Sequence, residues 1–187
     1  MKRAIKKSSI YAALIILIMA AALLPACGNI GDNEGELQVS YTFNAELYFV
    51  NSEYARAGDE NLEHFFVDNR ECRTESKGNP WLTMLEELKN PPSDLAETAV
   101  TADVVFGDVY VDPADDSVMV VDFDSLSSGG SMQEGFLINQ IVYTIVKNGG
   151  VFADSSNVSK IRFLLKGEKV ESLMGHFDST EPFTIHE

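Results

Sequence analysis

Apolar and polar positions begin to alternate at Val39. Val39, Tyr41 and Phe43 share one side, and Leu47 and Phe49 then stand opposite Tyr48 and Val50 until Asn51 ends the run. Successive side chains of a strand point to opposite faces, so this period of two predicts a strand buried on at least one face. Ser52 to Asn61, polar and containing Gly58, reads as a loop, Leu62 to Val67 as a second extended piece, and Thr74 to Asn79 as another loop. The period then changes. Trp81, Met84, Leu85 and Leu88 fall at i, i+3, i+4 and i+7, with Asn79 as an N-cap, Pro80 at the first helical position and Asn90-Pro91-Pro92 as the stop. Trp81 on that stripe is a packing residue or a ligand platform, with packing the expected role.

Val104 to Asp112 and Val118 to Phe123 are β-prone runs joined by Pro113-Ala114-Asp115-Asp116-Ser117, a composition that turns the chain into a hairpin. Ser131-Met132-Gln133-Glu134 matches a capping box and opens a helix in which Leu137, Ile141, Thr144 and Ile145 share a face. Asn148-Gly149-Gly150 ends it, with a left-handed glycine cap expected. Ile161, Phe163 and Leu165 then alternate with Lys160, Arg162 and Lys166 in a strand with one polar face, and Gly167-Glu168-Lys169 turns it into a short tail. The order strand, helix, two hairpin strands, helix, strand predicts an α+β fold of split βαβ type. Its two layers would be a small mixed β-sheet and two helices packed on one face of it.

These residues carry a family resemblance. Gln140 to Ile145 with its glycine-ended helix, Val158 to Gly167-Glu168-Lys169-Val170, and the closing Gly175-His176-Phe177-Asp178 and Glu181-Pro182-Phe183 resemble the second half of the GerM-type (GerMN) domain of sporulation and spore germination. Ala45 to Val50 is similar to that domain's opening strand, and Leu82 to Pro91 to its leucine-rich helix followed by proline. The resemblance spans Ala45 to Phe183. Two departures stand out: a long connection from Ser52 to Asn79, and no proline-glycine turn around Ser93 to Thr101. The resemblance implies a non-enzymatic role in sporulation, germination or envelope assembly, and a fold similar to ring-building modules of secretion-like complexes.

Ahead of the strand lies a different pattern. Lys2, Arg3, Lys6 and Lys7 precede an apolar run from Ile10 to Leu24, then Leu24-Pro25-Ala26-Cys27. A run this short, under the roughly 20 residues of a spanning helix, fits an export signal. The cysteine at its end resembles a lipobox, whose thiol takes a diacylglyceryl group. Residues 1–26 are therefore expected to be a lipoprotein signal peptide and Cys27 the lipidated first residue of the mature chain. The alternatives are an ordinary signal peptide cut near Ala26 or an uncleaved anchor. Residues 27–37, mostly Gly, Asn, Asp and Glu, suit a flexible tether, and residues 38–187 form one domain. Two acyl chains hold a protein stably where one does so marginally, so the expected location is the extracytoplasmic face of the cell membrane.

Charge narrows the partners. The chain has a formal net charge of −15, and the signal holds four positive charges and no negative ones, so its removal leaves −19. Such a domain repels phosphate backbones, which excludes nucleic acid. Envelope proteins or peptidoglycan remain as partners beside the membrane itself.

The search for chemistry yields little. With Cys27 allotted to lipid, Cys72 has no internal partner; its arginine neighbours could lower the thiol pKa, but a small buried or edge residue is the expected role. His64, His176 and His186 are far apart, and His176 with Asp178 reads as a structural ending rather than an acid/base pair. No Gly-x-Ser-x-Gly, phosphate-loop or dinucleotide motif occurs, and neither cofactor nor metal is expected. Asp112, Asp115 and Asp116 are weak calcium candidates whose spacing misses the EF-hand pattern, a solvated turn being the expected alternative. Lys160, Arg162 and Lys166, three cations on one strand face, are candidate partner contacts. The expectation is thus a lipid-anchored binding or scaffold domain. A peptidoglycan hydrolase or calcium-dependent wall-binding protein is the rival, and a small solute-binding lipoprotein a third reading.

Overall fold

The predicted alternation of buried and exposed positions holds from Phe43 to Phe49. A computed structural model describes residues 40–75, 77–152, 155 and 157–185. The signal at 1–26, Cys27, the tether at 27–37 and His186 lie outside the described residues. Strand β1 (Ser40–Asn51) buries Ala45, Leu47 and Phe49. Helix α1 (Ser52–Ala57) follows at once, then β2 (Phe65–Glu75), α2 (Pro80–Glu87), β3 (Ala96–Glu97), β4 (Val105–Val111), β5 (Val118–Ser125), α3 (Ser131–Lys147), β6 (Lys160–Leu165) and β7 (Glu168–Lys169).

The α+β class stands, but the strands divide into two sheets instead of one. One has the order β2-β1-β3 and is antiparallel; the other has the order β4-β5-β6-β7, with β5 and β6 parallel across the α3 crossover. The two helices do not simply cover one face. α2 packs on β2, β4 and β1, while α3 packs on β1 and β6, so both bridge the sheets. One core results, drawing Phe49 from β1, Leu85 from α2, Phe123 from β5, Ile141 from α3 and Phe163 from β6.

Side chains of α3 explain why the sheets stay separate. Only Val50 and Asn51 of β1 pair with β3, which leaves most of that edge of β1 without a strand. Asn148, at the end of α3, takes the place of one: Glu46 N donates to its Oδ1 at 3.0 Å, and its Nδ2 donates to Glu46 O at 2.8 Å and Thr144 O at 2.6 Å. Tyr48 N donates to Thr144 Oγ1 at 3.1 Å. A buried backbone group without a partner is costly, so a helix that satisfies the strand edge removes the drive to extend the sheet. Two further buried residues of α3 act alike. Gln140 accepts from Ala99 N at 3.0 Å and donates to Thr98 Oγ1 at 3.1 Å. Glu134 accepts from Ser172 Oγ (2.7 Å), Leu173 N (3.0 Å), Met174 N (2.9 Å) and His176 N (2.8 Å), fastening the closing segment.

Local expectations need four corrections. The second strand runs over Phe65–Glu75, not Leu62 to Val67, and takes in Thr74 and Glu75 from the expected loop. Ser52–Ala57 is helical, not loop: Asn51 Oδ1 accepts from Glu53 N, and Gly58, at φ 62°, supplies the left-handed end. The capping box of α3 does not form. Gly130 is the N-cap without a side-chain bond, and Glu134 turns instead to the four donors of the 172–176 segment, which outbid one helix N–H. The C-terminal glycine cap is absent as well. Asn148, at φ −97°, is the cap, and Gly149 is needed for close approach: a Cβ there would lie 3.3 Å from Ser155 O and 3.4 Å from Val158 O. The helix at Pro80 matches expectation, with Asn79 Oδ1 accepting from Trp81 N and Leu82 N, and so does the hairpin of β4 and β5. Trp81 is 5% exposed and packs edge-on to Phe152 at 4.8 Å.

Candidate functional site

Tyr48 and Val50 occupy the face of β1 opposite Leu47 and Phe49, and a surface groove is built on them. The register places Phe65, first residue of β2, across from Val50. α1 contributes Tyr54, and His64 precedes Phe65. From the other side α3 presents Phe136, Asn139 and Tyr143 at i, i+3 and i+7, a stripe opposed to its core stripe of Leu137, Ile141 and Ile145. These residues with Val50 line a groove of about 290 Å³. A second hollow of about 430 Å³ shares Val50 and Phe136 and runs past Met132 to Glu97. A third, of about 450 Å³, shares His64, Phe65 and Tyr143 and continues to Glu60 and Glu63. The three are one continuous surface.

Its walls are aromatic. Tyr54 stacks on His64 at 4.2 Å, and Phe65 meets Tyr143 at 4.5 Å. Tyr48 lies 5.7 Å from both Phe65 and Tyr143, and Tyr54 lies 6.1 Å from Phe136. Ring contacts of this kind hold the walls in place without filling the space between them. Its rim is acidic. Tyr48 donates its hydroxyl to Glu46 Oε2 at 3.2 Å; burial first, and then the Glu46 carboxylate, push the phenol up to about 12. His64 Nε2 lies 3.3 Å from Glu60 Oε2. No Lys or Arg is among the residues lining the three hollows. The arrangement sets half-buried aromatic side chains beside carboxylates.

Of the residues singled out in the sequence, His64 lines this groove and the other described ones lie elsewhere. Asp112, Asp115 and Asp116 are not gathered around a common point. Asp112 accepts from Ala114 N and pairs with Arg162 at 2.5 Å, Asp115 accepts from Ser117 N and Oγ, and Asp116 accepts from Asn157 Nδ2. Those two Ser117 bonds hold the Asp115 carboxyl below its ordinary range. Among the described residues no group of three or more His, Cys, Asp or Glu could hold a metal ion. Of the three cations, Arg162 is engaged by Asp112, Lys160 is exposed beside it, and Lys166 sits in the β6–β7 turn at φ 54°. Lys160 and Arg162 share the face of β6 opposite Ile161 and Phe163, and Lys166 lies beyond the strand. Cys72 is 1% exposed, and burial pushes its thiol up to about 11, with the Glu87 carboxylate adding to the rise and outweighing Arg70. His176 places Nε2 3.2 Å from Gly129 O, while Asp178 accepts from Thr180 N and Oγ1. They stand as separate local contacts.

Sequence reasoning missed the groove. A signal for it exists in α3, where Met132, Phe136 and Tyr143 form a second stripe at helical spacing, but Tyr54, His64 and Phe65 come from a stretch read as loop and short extended piece.

Comparison with known proteins follows the fold. The first GerMN domain of the Bacillus subtilis sporulation protein GerM superimposes with a TM-score of 0.51 at 14% identity, over 76% of this chain and 97% of that one. The tandem GerMN domains of the same protein give 0.51 at 14%, over 77% of this chain and 46% of that one. A Clostridium perfringens chain described as a lipoprotein gives 0.43 at 17%, over 76% and 87%, which is too loose to carry an argument. No curated protein matches the sequence. The sequence itself matches the family described as "Germane: Sporulation and spore germination" over residues 46–171, about two thirds of its length, and the chain belongs to that family.

Proposed function

We propose that this chain is a lipid-anchored, extracytoplasmic and non-enzymatic docking domain, serving sporulation, germination or assembly of the cell envelope. The anchor is Cys27, by the lipobox pattern of Leu24-Pro25-Ala26-Cys27. The docking site is the aromatic groove, and the observation that carries the reading is its continuity. Tyr54 and Phe65 from one part of the chain and Phe136 and Tyr143 from another stand half-buried around open space. Half-exposed aromatics clustered in a concave site mark interaction surfaces far more than isolated ones do.

The test is made in living cells. A photo-crosslinking residue at Phe136 should capture one envelope protein, and the same probe at Glu168, on the turn strand β7, should not. Labelled palmitate should enter the wild-type chain and be lost in Cys27→Ala. Labelling that survives Cys27→Ala removes the anchor from this reading, capture of no protein at Phe136 removes the groove, and turnover of purified peptidoglycan removes the non-enzymatic role.

A further inference from the structure

We propose that the groove seats a cationic segment of its partner polypeptide. The inference rests on the docking reading above and adds the chemistry of the occupant.

Charge is the first argument. Glu97, Glu60 and Glu63 line the connected hollows, Glu46 stands beside Tyr48, and no Lys or Arg shares that lining. Three cations elsewhere in the chain are engaged with its own carboxylates. Arg70 bridges Asp68 and Glu87, Lys89 holds Glu86, and Arg162 holds Asp112. The groove therefore keeps a local excess of negative charge at a place where a partner can reach it, and a basic segment would be drawn in and held there.

Ring geometry is the second argument. Lys and Arg bind over the faces of Tyr and Phe at about 6 Å, so aromatic walls and carboxylates attract the same type of ligand. Phe65 and Tyr143 are tilted 44° to each other, Tyr54 and Phe136 57°, and Tyr48 and Tyr143 38°. Walls of mutually tilted rings can receive side chains between them. Long basic side chains suit such walls, since their methylene stems lie along apolar surface while the charged head reaches the rim.

Binding of short synthetic peptides to the full chain in mild detergent tests this, read by fluorescence anisotropy. The probes are a peptide alternating lysine and phenylalanine and its glutamate–phenylalanine counterpart. The lysine peptide should bind saturably, more weakly as salt is raised, and the glutamate peptide should not bind. Glu60→Gln with Glu63→Gln, which preserves shape, should weaken the lysine peptide about tenfold, as two partly exposed ion pairs would. Phe136→Ala should weaken it by a similar factor, about tenfold, and Glu168→Gln should leave it unchanged. Equal binding of both peptides, or affinity indifferent to the double Gln variant, overturns the proposal, as does saturable binding of soluble peptidoglycan fragments that the lysine peptide cannot displace. The two readings fail separately. Capture of a protein at Phe136 through an acidic or neutral segment would leave docking in place and remove only the cationic occupant.

Discussion

Replacing Glu134 by Gln tests how the closing segment is held. The side chain is 0% exposed, and its two oxygens accept from Ser172 Oγ, Leu173 N and Met174 N on one side and His176 N on the other. Glutamine keeps the shape and one acceptor, which can retain the first three bonds. Its NH₂ group must then face the His176 N–H, donor against donor. A buried donor left without an acceptor costs about 1–3 kcal/mol, and the surviving bonds lose their charge assistance, so about 2 kcal/mol is the expected loss. At a size near 150 residues that corresponds to a melting point lower by about 4–8 °C. The pH dependence separates charge from packing. Burial pushes the Glu134 carboxyl up, but the donors together outweigh it and hold the group below its ordinary range. A depressed folded-state pKa stabilises above the unfolded value of about 4.3 and ceases to do so as pH falls through the folded value. The gap between wild type and Glu134→Gln in urea melts should thus be constant above about pH 5 and narrow on further acidification. Equal stability at neutral pH, or a gap that widens in acid, would refute the reasoning.

Four shorter predictions follow from contacts already described. Asn148→Ala strips the edge of β1 of its substitute partner and should cost about 2–3 kcal/mol in urea unfolding, more than Thr144→Val at about 1 kcal/mol. Arg162→Glu, which sets a carboxylate against Asp112 where the two side chains are 24% and 16% exposed, should lower the melting point, while Lys160→Glu with Lys166→Glu should leave it unchanged and so is the variant for testing whether those cations touch a partner. Cys72 should resist a thiol reagent at neutral pH until urea exposes it, since its buried thiol is pushed up to about 11. Millimolar calcium should not move the melting point, because a ligand of the folded state alone would raise it and Asp112, Asp115 and Asp116 are directed at separate partners.

The parts of the fold that hydrophobic period encodes were legible. β1, α2, the β4–β5 hairpin, the body of α3 and β6 each follow from which residues must be buried, and the α+β class follows from their order. Contacts between a polar side chain and a distant backbone leave no period. Glu134 at the third residue after Ser131 is what a capping box requires, and only the arrival of residues 172–176 decides against it. Asn148 before two glycines reads as a helix end, and its bond to Glu46, 102 positions away, is invisible in either segment alone. The division into two sheets rests on that bond and its neighbour at Thr144, so the single sheet was the expected error. α1 was missed because six residues are too few to show a period, although Asn51 and Gly58 bracket them with ordinary helix signals. The groove combines both difficulties: half its wall comes from that short helix, and the other half from a stripe of α3 that the core does not use.

The placement of that stripe ties stability to recognition. Around α3, the residues that fasten the helix to its surroundings, Glu134, Gln140, Thr144 and Asn148, fall on or beside the core side, whereas Met132, Phe136, Asn139 and Tyr143 fall on the other. The polar anchors attach at four points on three segments: the closing loop, the stretch after β3, and two places on β1. A helix pinned at so many places along its length has little freedom to roll or slide, so the rings it offers stand in fixed positions before any partner arrives. Ordering rotamer-rich side chains on binding costs about 0.5–1.5 kcal/mol each, and rings already held by core-anchored elements avoid much of it. Gln140 extends the same economy to the far end of the groove, because the Thr98–Ala99 backbone it holds lines the hollow that reaches Glu97. The buried polar residues that make this fold hard to read in the sequence are therefore also the ones that hold the proposed docking groove ready.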